Sequence, residues 1–430
     1  MTGERRRRKP KVLLRGGRVL DPCRRLDAAL DILIWDGIIK ELSPRISSQK
    51  GAAVLDCRGK VVVPGLIDVH VHLRDFDESH KETIATGTRA AALGGFTTLV
   101  CEPNTQPPMD SKEQLQRWIA KARREALVNL YTQVCITKGR EGERLVRFGA
   151  LSRSSRVVAA TDDGNPVVDD RVMEKAFRAS RRTGLLLAPH CEDAPGLPPR
   201  GEEPFWSEPL YVKREVELAE RFSTPVHISH LSTAQAAEIV RGAKVRGVAV
   251  SCEVTPHHLL LDRSAEKEIG PDAKVNPPLR TREDVQALRE ALKEGVIDII
   301  ASDHAPHAPE EKAKGWDEAP FGVIGLETTL GVILTHLVGE GWLSLEEAVE
   351  RMSCRPAEVF GLPGGVIEEG READLTVIDL EEEWIVEPEH FASRGRNTPF
   401  KGWGLRGRAW GTIVGGEVVM WARVLRPPLP

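Results

Sequence analysis

Between residues 67 and 304 the chain alternates short apolar runs with amphipathic stretches, and this alternation restricts its fold more than any other feature. The apolar runs cover residues 67–73, 97–103, 128–134, 157–163, 185–192, 225–230, 248–254 and 298–304. Helix-like segments lie between them, among them residues 112–125, 170–182, 212–221 and 282–294. A strand covered on both faces reads as continuous apolar sequence, and a crossover must bring the chain back before the next parallel strand. Eight such units predict an α/β protein built on a (β/α)8 TIM barrel.

The two ends have a different texture. Residues 12–64 read as short strands and turns, with Asp36-Gly37 between apolar runs as a hairpin signal. Strand-like runs return at residues 374–379 and 411–419, the second with a turn inside it. We therefore expect a small β-sandwich formed by both termini. The division is a disordered basic leader over 1–10, sandwich parts over 11–64 and 363–430, and the catalytic barrel over 65–362. Five prolines between residues 194 and 209 predict an irregular loop.

Charge and cysteine content exclude several classes. With 60 basic and 64 acidic residues and a net charge of −4, nothing marks a nucleic-acid or membrane-surface binder. The run Arg5-Arg6-Arg7-Arg8-Lys9 precedes no apolar segment, so no signal peptide is expected, and no stretch is long enough to span a bilayer. The seven cysteines show no C-x-x-C spacing. They read as reduced, buried small hydrophobes of a cytoplasmic protein.

Chemistry gathers at the C-terminal ends of the expected strands. His70 and His72 alternate with apolar residues in Asp68-Val69-His70-Val71-His72-Leu73-Arg74, so a strand would place Asp68, His70, His72 and Arg74 on one face. Later strand ends carry Glu102, Asp162, Asp163, His190, Glu192, His227, His230, Asp303 and His307. In a barrel these ends meet at one mouth. Imidazoles and carboxylates converging there suit a catalytic metal site of the zinc type. His80, His336 and His390 fall in helix-like or linker stretches and are not expected to take part.

The ordered set of motifs resembles that of dihydroorotase, in the longer bacterial (type I) form within the amidohydrolase superfamily. The set comprises the Asp68-to-Arg74 stretch, Pro103-Asn104-Thr105, Thr161-Asp162-Asp163-Gly164, His190-Cys191-Glu192-Asp193, His230-Leu231-Ser232-Thr233, Glu253-Val254-Thr255-Pro256-His257-His258, Asn276-Pro277-Pro278-Leu279-Arg280 and Asp303-His304-Ala305-Pro306-His307. The resemblance implies reversible cyclisation of N-carbamoyl-L-aspartate to (S)-dihydroorotate and water in de novo pyrimidine (UMP) synthesis. It implies His70, His72, Asp163, His190, His230 and Asp303 as ligands of one or two Zn2+ ions, bridged by Asp163 if two. Many relatives bridge with a carboxylated lysine, but this chain has no lysine between Lys138 and Lys175. Asp163 is preferred over Asp162, and His230 over His227. A metal-bound hydroxide would attack the ring amide carbonyl, with Asp303 as general acid and base. Arg74, Asn104 and His307 would hold the substrate carboxylate, Asn276 the ring, and the Phe321-Gly322 backbone its amide edge. Asp68 would support the ligands from behind.

Two departures from the family pattern stand out. Asp75-Phe76-Asp77 replaces the usual acidic-Pro-Gly turn, and Gly196-Leu197-Pro198-Pro199 lies in a shortened segment. The competing readings are another cyclic-amide hydrolase (dihydropyrimidinase or allantoinase) and a non-catalytic partner of aspartate transcarbamoylase. For the active enzyme the resemblance implies a homodimer, with aspartate transcarbamoylase as a candidate partner.

Overall fold

The computed structural model describes residues 9–47, 49–192 and 207–426. The basic run at residues 5–8 and most of the proline-rich segment lie outside the described residues.

Eight parallel strands follow one another around the barrel: Leu66–Val71, Phe96–Cys101, Asn129–Val134, Val157–Ala160, Leu186–Leu187, Val226–Ile228, Val250–Val254 and Ile299–Ile300. The ring closes where Val71 bridges His304 and the His72 N–H donates to the His304 carbonyl at 2.8 Å. Helices pack outside. In Lys112–Glu125, Leu115, Trp118 and Ala122 recur at helical spacing and are buried, while the Ser111 hydroxyl accepts the Gln114 N–H at the start. Trp118 is 2% exposed; truncating such a side chain to Ala costs about 3–5 kcal/mol. Helix Glu208–Phe222 begins where the irregular loop was expected to continue. Pro209 sits in its first turn, where a missing N–H costs nothing.

Several strands are shorter than the apolar runs suggest. The fifth and eighth keep two residues each. The first ends at Val71, and its pairing slips between Asp68 and Val71. The single strand face expected for Asp68 through Arg74 is therefore not kept: His72 and Arg74 lie beyond the strand. The reason is local. Chain that must aim side chains into the mouth leaves the ladder, and Arg74, His230 and Asp303 take left-handed φ values of 52°, 33° and 47°.

The termini form one continuous mixed sheet of nine strands among the described residues, rather than two separate sheets. It runs through Lys11–Asp21, Leu26–Trp35 and Ile38–Ser43 at one end and Leu375–Ile385, Gly404–Val414 and Glu417–Trp421 at the other. The sheet encloses a core of its own, in which Val12, Ile32, Leu55, Leu375 and Ile413 are buried together. The expected hairpin is present: Trp35 pairs with Ile38, and Asp36 and Gly37 both take positive φ, as a type I′ turn requires. Six cysteines are buried as expected, but Cys23 is exposed, because it sits on a surface turn rather than in a strand. No helix among the described residues is long and apolar enough to cross a membrane.

Candidate metal centre

Six side chains expected as ligands meet at the mouth of the barrel. Asp163 is the hub. Its Oδ1 lies 3.2 Å from His230 Nε2, 3.3 Å from His190 Nδ1 and 3.5 Å from His70 Nε2. Its Oδ2 faces His72 Nε2 at 3.7 Å. Asp303 Oδ1 lies 3.0 Å from His72 Nε2 and 3.7 Å from His70 Nε2. His190 Nδ1 and His230 Nε2 are 2.9 Å apart. The donors fall into two overlapping groups, His70–His72–Asp303 and His70–Asp163–His230. Asp162 turns elsewhere: it accepts the N–H groups of Ile136 and Thr137 at 2.8 and 3.0 Å. His227 bonds Ser251 and Glu253 instead of joining the cluster. His80, His336 and His390 stay outside, each beside a glutamate.

These residues fit a divalent ion. Nitrogen and oxygen ligands at about 2.0–2.1 Å around a tetrahedral ion stand about 3.3 Å apart, close to the spacings above. The buried Nε2 of His70 has no hydrogen-bond partner among the described residues, although the carboxylates of Glu102, Asp163 and Asp303 surround it. Burial works against the charge of every group here. For Asp303 it is outweighed by the hydrogen bond from His72 and the charge of His70, which hold the carboxyl at about 2. For His70 it is outweighed by Glu102, Glu253 and Asp163, which keep the imidazole well above its usual value. A carboxylate cluster of this kind calls for positive charge at its centre.

Other contacts fix the imidazoles from behind. Glu253 Oε1 lies 2.6 Å from His70 Nδ1, and the same carboxylate accepts the His230 N–H at 3.3 Å. Asn104 Oδ1 lies 3.0 Å from His72 Nδ1, and the Asn276 amide 3.1 Å from His190 Nε2. Each of these three rings thus turns its other nitrogen inward, as metal-ligating histidines do. Asp68 accepts the N–H groups of His70 and Ser302, both at 3.2 Å, tying the first strand to the last. Sequence reasoning quoted Glu253 within a motif but gave it no role. Its signal was its place near the end of the seventh strand. Glu253→Gln should weaken metal binding by about 10- to 100-fold with the fold intact. Chelator competition reads this directly, and unchanged affinity would leave Glu253 a structural acid only.

Beside the cluster opens a cavity of about 350 Å3, bordered by Arg74, Asn104, Asn276, His307, Phe321 and Gly322. Arg74 does not pair with Asp75. That carboxylate accepts the Phe76 and Ile84 N–H groups at 2.7 and 3.0 Å. Arg74 instead reaches the Pro306 carbonyl and His307 Nε2, each at 3.3 Å, and its remaining donors have no partner among the described residues. Burial, then the neighbouring Arg74 charge, push the His307 imidazole down to about 2, so it is neutral, and its Nε2 stands 2.8 Å from the Phe321 carbonyl. Gly322 takes φ 133°, and a Cβ there would stand 2.7 Å from Ala305. Its N–H is already spent on the Lys274 carbonyl at 2.9 Å, which narrows what the Phe321-Gly322 backbone can offer a ligand.

A profile described as the amidohydrolase family matches residues 61–419. A dihydroorotase of Citrifermentans bemidjiense is 44% identical over 421 residues, covering 95% of this chain and 99% of the relative. The chain belongs to the amidohydrolase family, among the dihydroorotases. A dihydroorotase of Pelotomaculum thermopropionicum is likewise 44% identical, over 97% of this chain and 100% of its own. Among solved structures, the L-hydantoinase (dihydropyrimidinase) of Arthrobacter aurescens superposes with a TM-score of 0.87 at 27% identity, over 98% of both chains. The D-hydantoinase (dihydropyrimidinase) of a Thermus species does so at 0.84 and 25% identity, over 96% of both chains. The barrel with its terminal sheet is thus the amidohydrolase fold, and the chain is a cyclic amidohydrolase.

Proposed function

We propose that this enzyme interconverts N-carbamoyl-L-aspartate and (S)-dihydroorotate, with Zn2+ held by His70, His72, Asp163, His190, His230 and Asp303. The observation that carries the reading is the pairing of two unlike ends in one cavity. At one end stands a half-buried guanidinium, Arg74, with donors that have no partner among the described residues; at the other, a His/Asp cluster fit for a hydrolytic metal. A cyclic amide with a ring carboxylate needs both. Dihydrouracil and allantoin carry no such carboxylate.

When bound, the metal would lower the pKa of a water and polarise the ring carbonyl. The protein's own groups do the rest. Arg74 grips the carboxylate with its fork and sets the distance from that anchor to the reacting carbonyl. Asn276 borders the ring. Asp303, held ionised by its histidine neighbours, takes a proton on a carboxylate oxygen during ring opening and returns it to the departing ring nitrogen.

The direction of the pH effect follows. With its carboxyl held at about 2, Asp303 is a base throughout the neutral range. Ring closure needs its protonated form, which becomes about tenfold more abundant per pH unit of acidification. Closure also consumes a proton, since a dicarboxylate becomes a monocarboxylate and water. Synthesis rates should therefore rise as pH falls, until the histidines protonate, while hydrolysis, which uses the already dominant ionised form, should show no such rise. Identical profiles in the two directions would contradict this role for Asp303.

The deciding experiment is turnover of dihydroorotate, dihydrouracil and allantoin by the purified chain, with metal content measured alongside. Turnover of only the latter two would overturn the assignment in favour of the dihydropyrimidinase or allantoinase reading. A chain that retains no zinc and stays inactive with added metal would favour the non-catalytic partner of aspartate transcarbamoylase. We extend the proposal to a cytoplasmic homodimer able to associate with aspartate transcarbamoylase. Light scattering of the chain, alone and mixed with that enzyme, tests both.

A further inference from the structure

Away from the metal centre, two thiols meet across the joint between the terminal sheet and the barrel. Cys23 lies in the turn Pro22–Arg24, directly after the first terminal strand. Cys354 ends the helical turn Glu350–Cys354 of the barrel, against which that turn packs. The two sulfurs and an Asp21 oxygen lie within 4.8 Å of one another. Cys23 is exposed and Cys354 buried, with the Cys354 Sγ 3.3 Å from the Gly365 carbonyl. The Asp21 carboxylate is occupied: it accepts the Arg24 N–H at 3.2 Å and the Ile367 N–H at 2.6 Å. It serves as a backbone cap, which leaves the two thiols as the reactive pair.

We propose that Cys23 and Cys354 form a thiol–disulfide exchange site that a small disulfide of the glutathione class converts into a bond between sheet and barrel. The exposed Cys23, as thiolate, attacks the small disulfide. Its S–S bond breaks, a mixed disulfide forms on Cys23, and one small thiol leaves. The Cys354 sulfur, losing its proton, then attacks the Cys23 sulfur, and the second small thiol leaves with that bond's electron pair. Two protein thiols are oxidised and one small disulfide is reduced to two thiols, with no further reactant. The order of attack follows from exposure, and the neighbouring Cys354 thiol lowers the Cys23 thiol from its usual value. Under reducing conditions both thiols stay open. Once made, the bond joins residues 23 and 354 and so closes a loop around the entire barrel, which restricts the unfolded chain strongly.

The test treats the full-length metal-loaded protein with oxidised glutathione, alkylates the remaining thiols and maps peptides without reduction. The expected result is one intramolecular Cys23–Cys354 cross-link and a melting temperature higher by about 5 °C or more. Dithiothreitol should reverse both. Cys23→Ser, at an exposed position, should abolish both, and Cys354→Ala serves as a second control. Glutathione left on Cys23 without a cross-link would overturn the proposal, as would a cross-link that leaves the melting temperature unchanged. Zinc bound stoichiometrically beyond the barrel ions, and lost in Cys23→Ser, would replace the exchange site with a metal site.

Discussion

Asp303→Asn should lower kcat by about 10³-fold or more in both directions while leaving the fold unchanged. The substitution keeps the size of the side chain but removes two things together. One is the negative charge that His72 and His70 face at 3.0 and 3.7 Å. The other is the only form of the group that can take up a proton. Metal content separates the two roles. If Asp303 acts mainly as proton carrier, the variant keeps its metal and loses turnover. If it acts mainly as ligand, the metal is lost and excess metal restores part of the rate. A variant that turns over dihydroorotate at a normal rate would remove Asp303 from the mechanism altogether.

Arg74→Met should reduce kcat/KM for dihydroorotate by about 10²- to 10³-fold, mostly through KM, because a charge-assisted fork on the carboxylate is lost. The guanidinium is half-buried at the cavity wall, so its attraction for a bound carboxylate is screened less than at the open surface. Arg74→Lys keeps the charge and should fall between the two, since an ammonium cannot make the paired contact. Dihydrouracil supplies the control. If Arg74 reads only the carboxylate, whatever slow turnover that compound shows should not change. An equal loss on both compounds would mean that the substitution had disturbed the site itself. Such disturbance has a ready route, because Arg74, Asp75 and Phe76 occupy the left-handed region in succession, at φ 52°, 63° and 47°.

That turn also shows where sequence reasoning stopped. The absence of Pro and Gly from Asp75-Phe76-Asp77 was visible, but the solution was not. The chain makes the turn without glycine, holding it by the Asp75 carboxylate on two backbone N–H groups. The barrel was legible because burial on both faces leaves continuous apolar runs, and the site because polar residues interrupt those runs at one end only. Strand length was not legible. The run over residues 185–192 is as apolar as a strand, yet only Leu186–Leu187 pair, since the chain turns early to bring His190 inward. Roles in the outer layer were not legible either. Asn104 was expected on the substrate, and its oxygen also sets the His72 ring. Glu253 is one carboxylate among 64 acidic residues until the barrel brings it to His70, 183 positions away.

The seam between the first and last strands has a consequence for the order of assembly. His72 and Asp303, 231 positions apart, touch only because Val71 pairs with His304 there. Until that final pairing, no arrangement of the chain offers the complete set of donors. Tight metal uptake therefore belongs to the finished ring and not to its precursors, and the ion rewards the most distant strand pairing in the barrel. During synthesis on the ribosome, a nascent chain halted before residue 303 would hold four imidazoles and Asp163 without the counterpart that completes the site. The metal would then act as a latch on a closed circle, and its capture would report that the circle has closed.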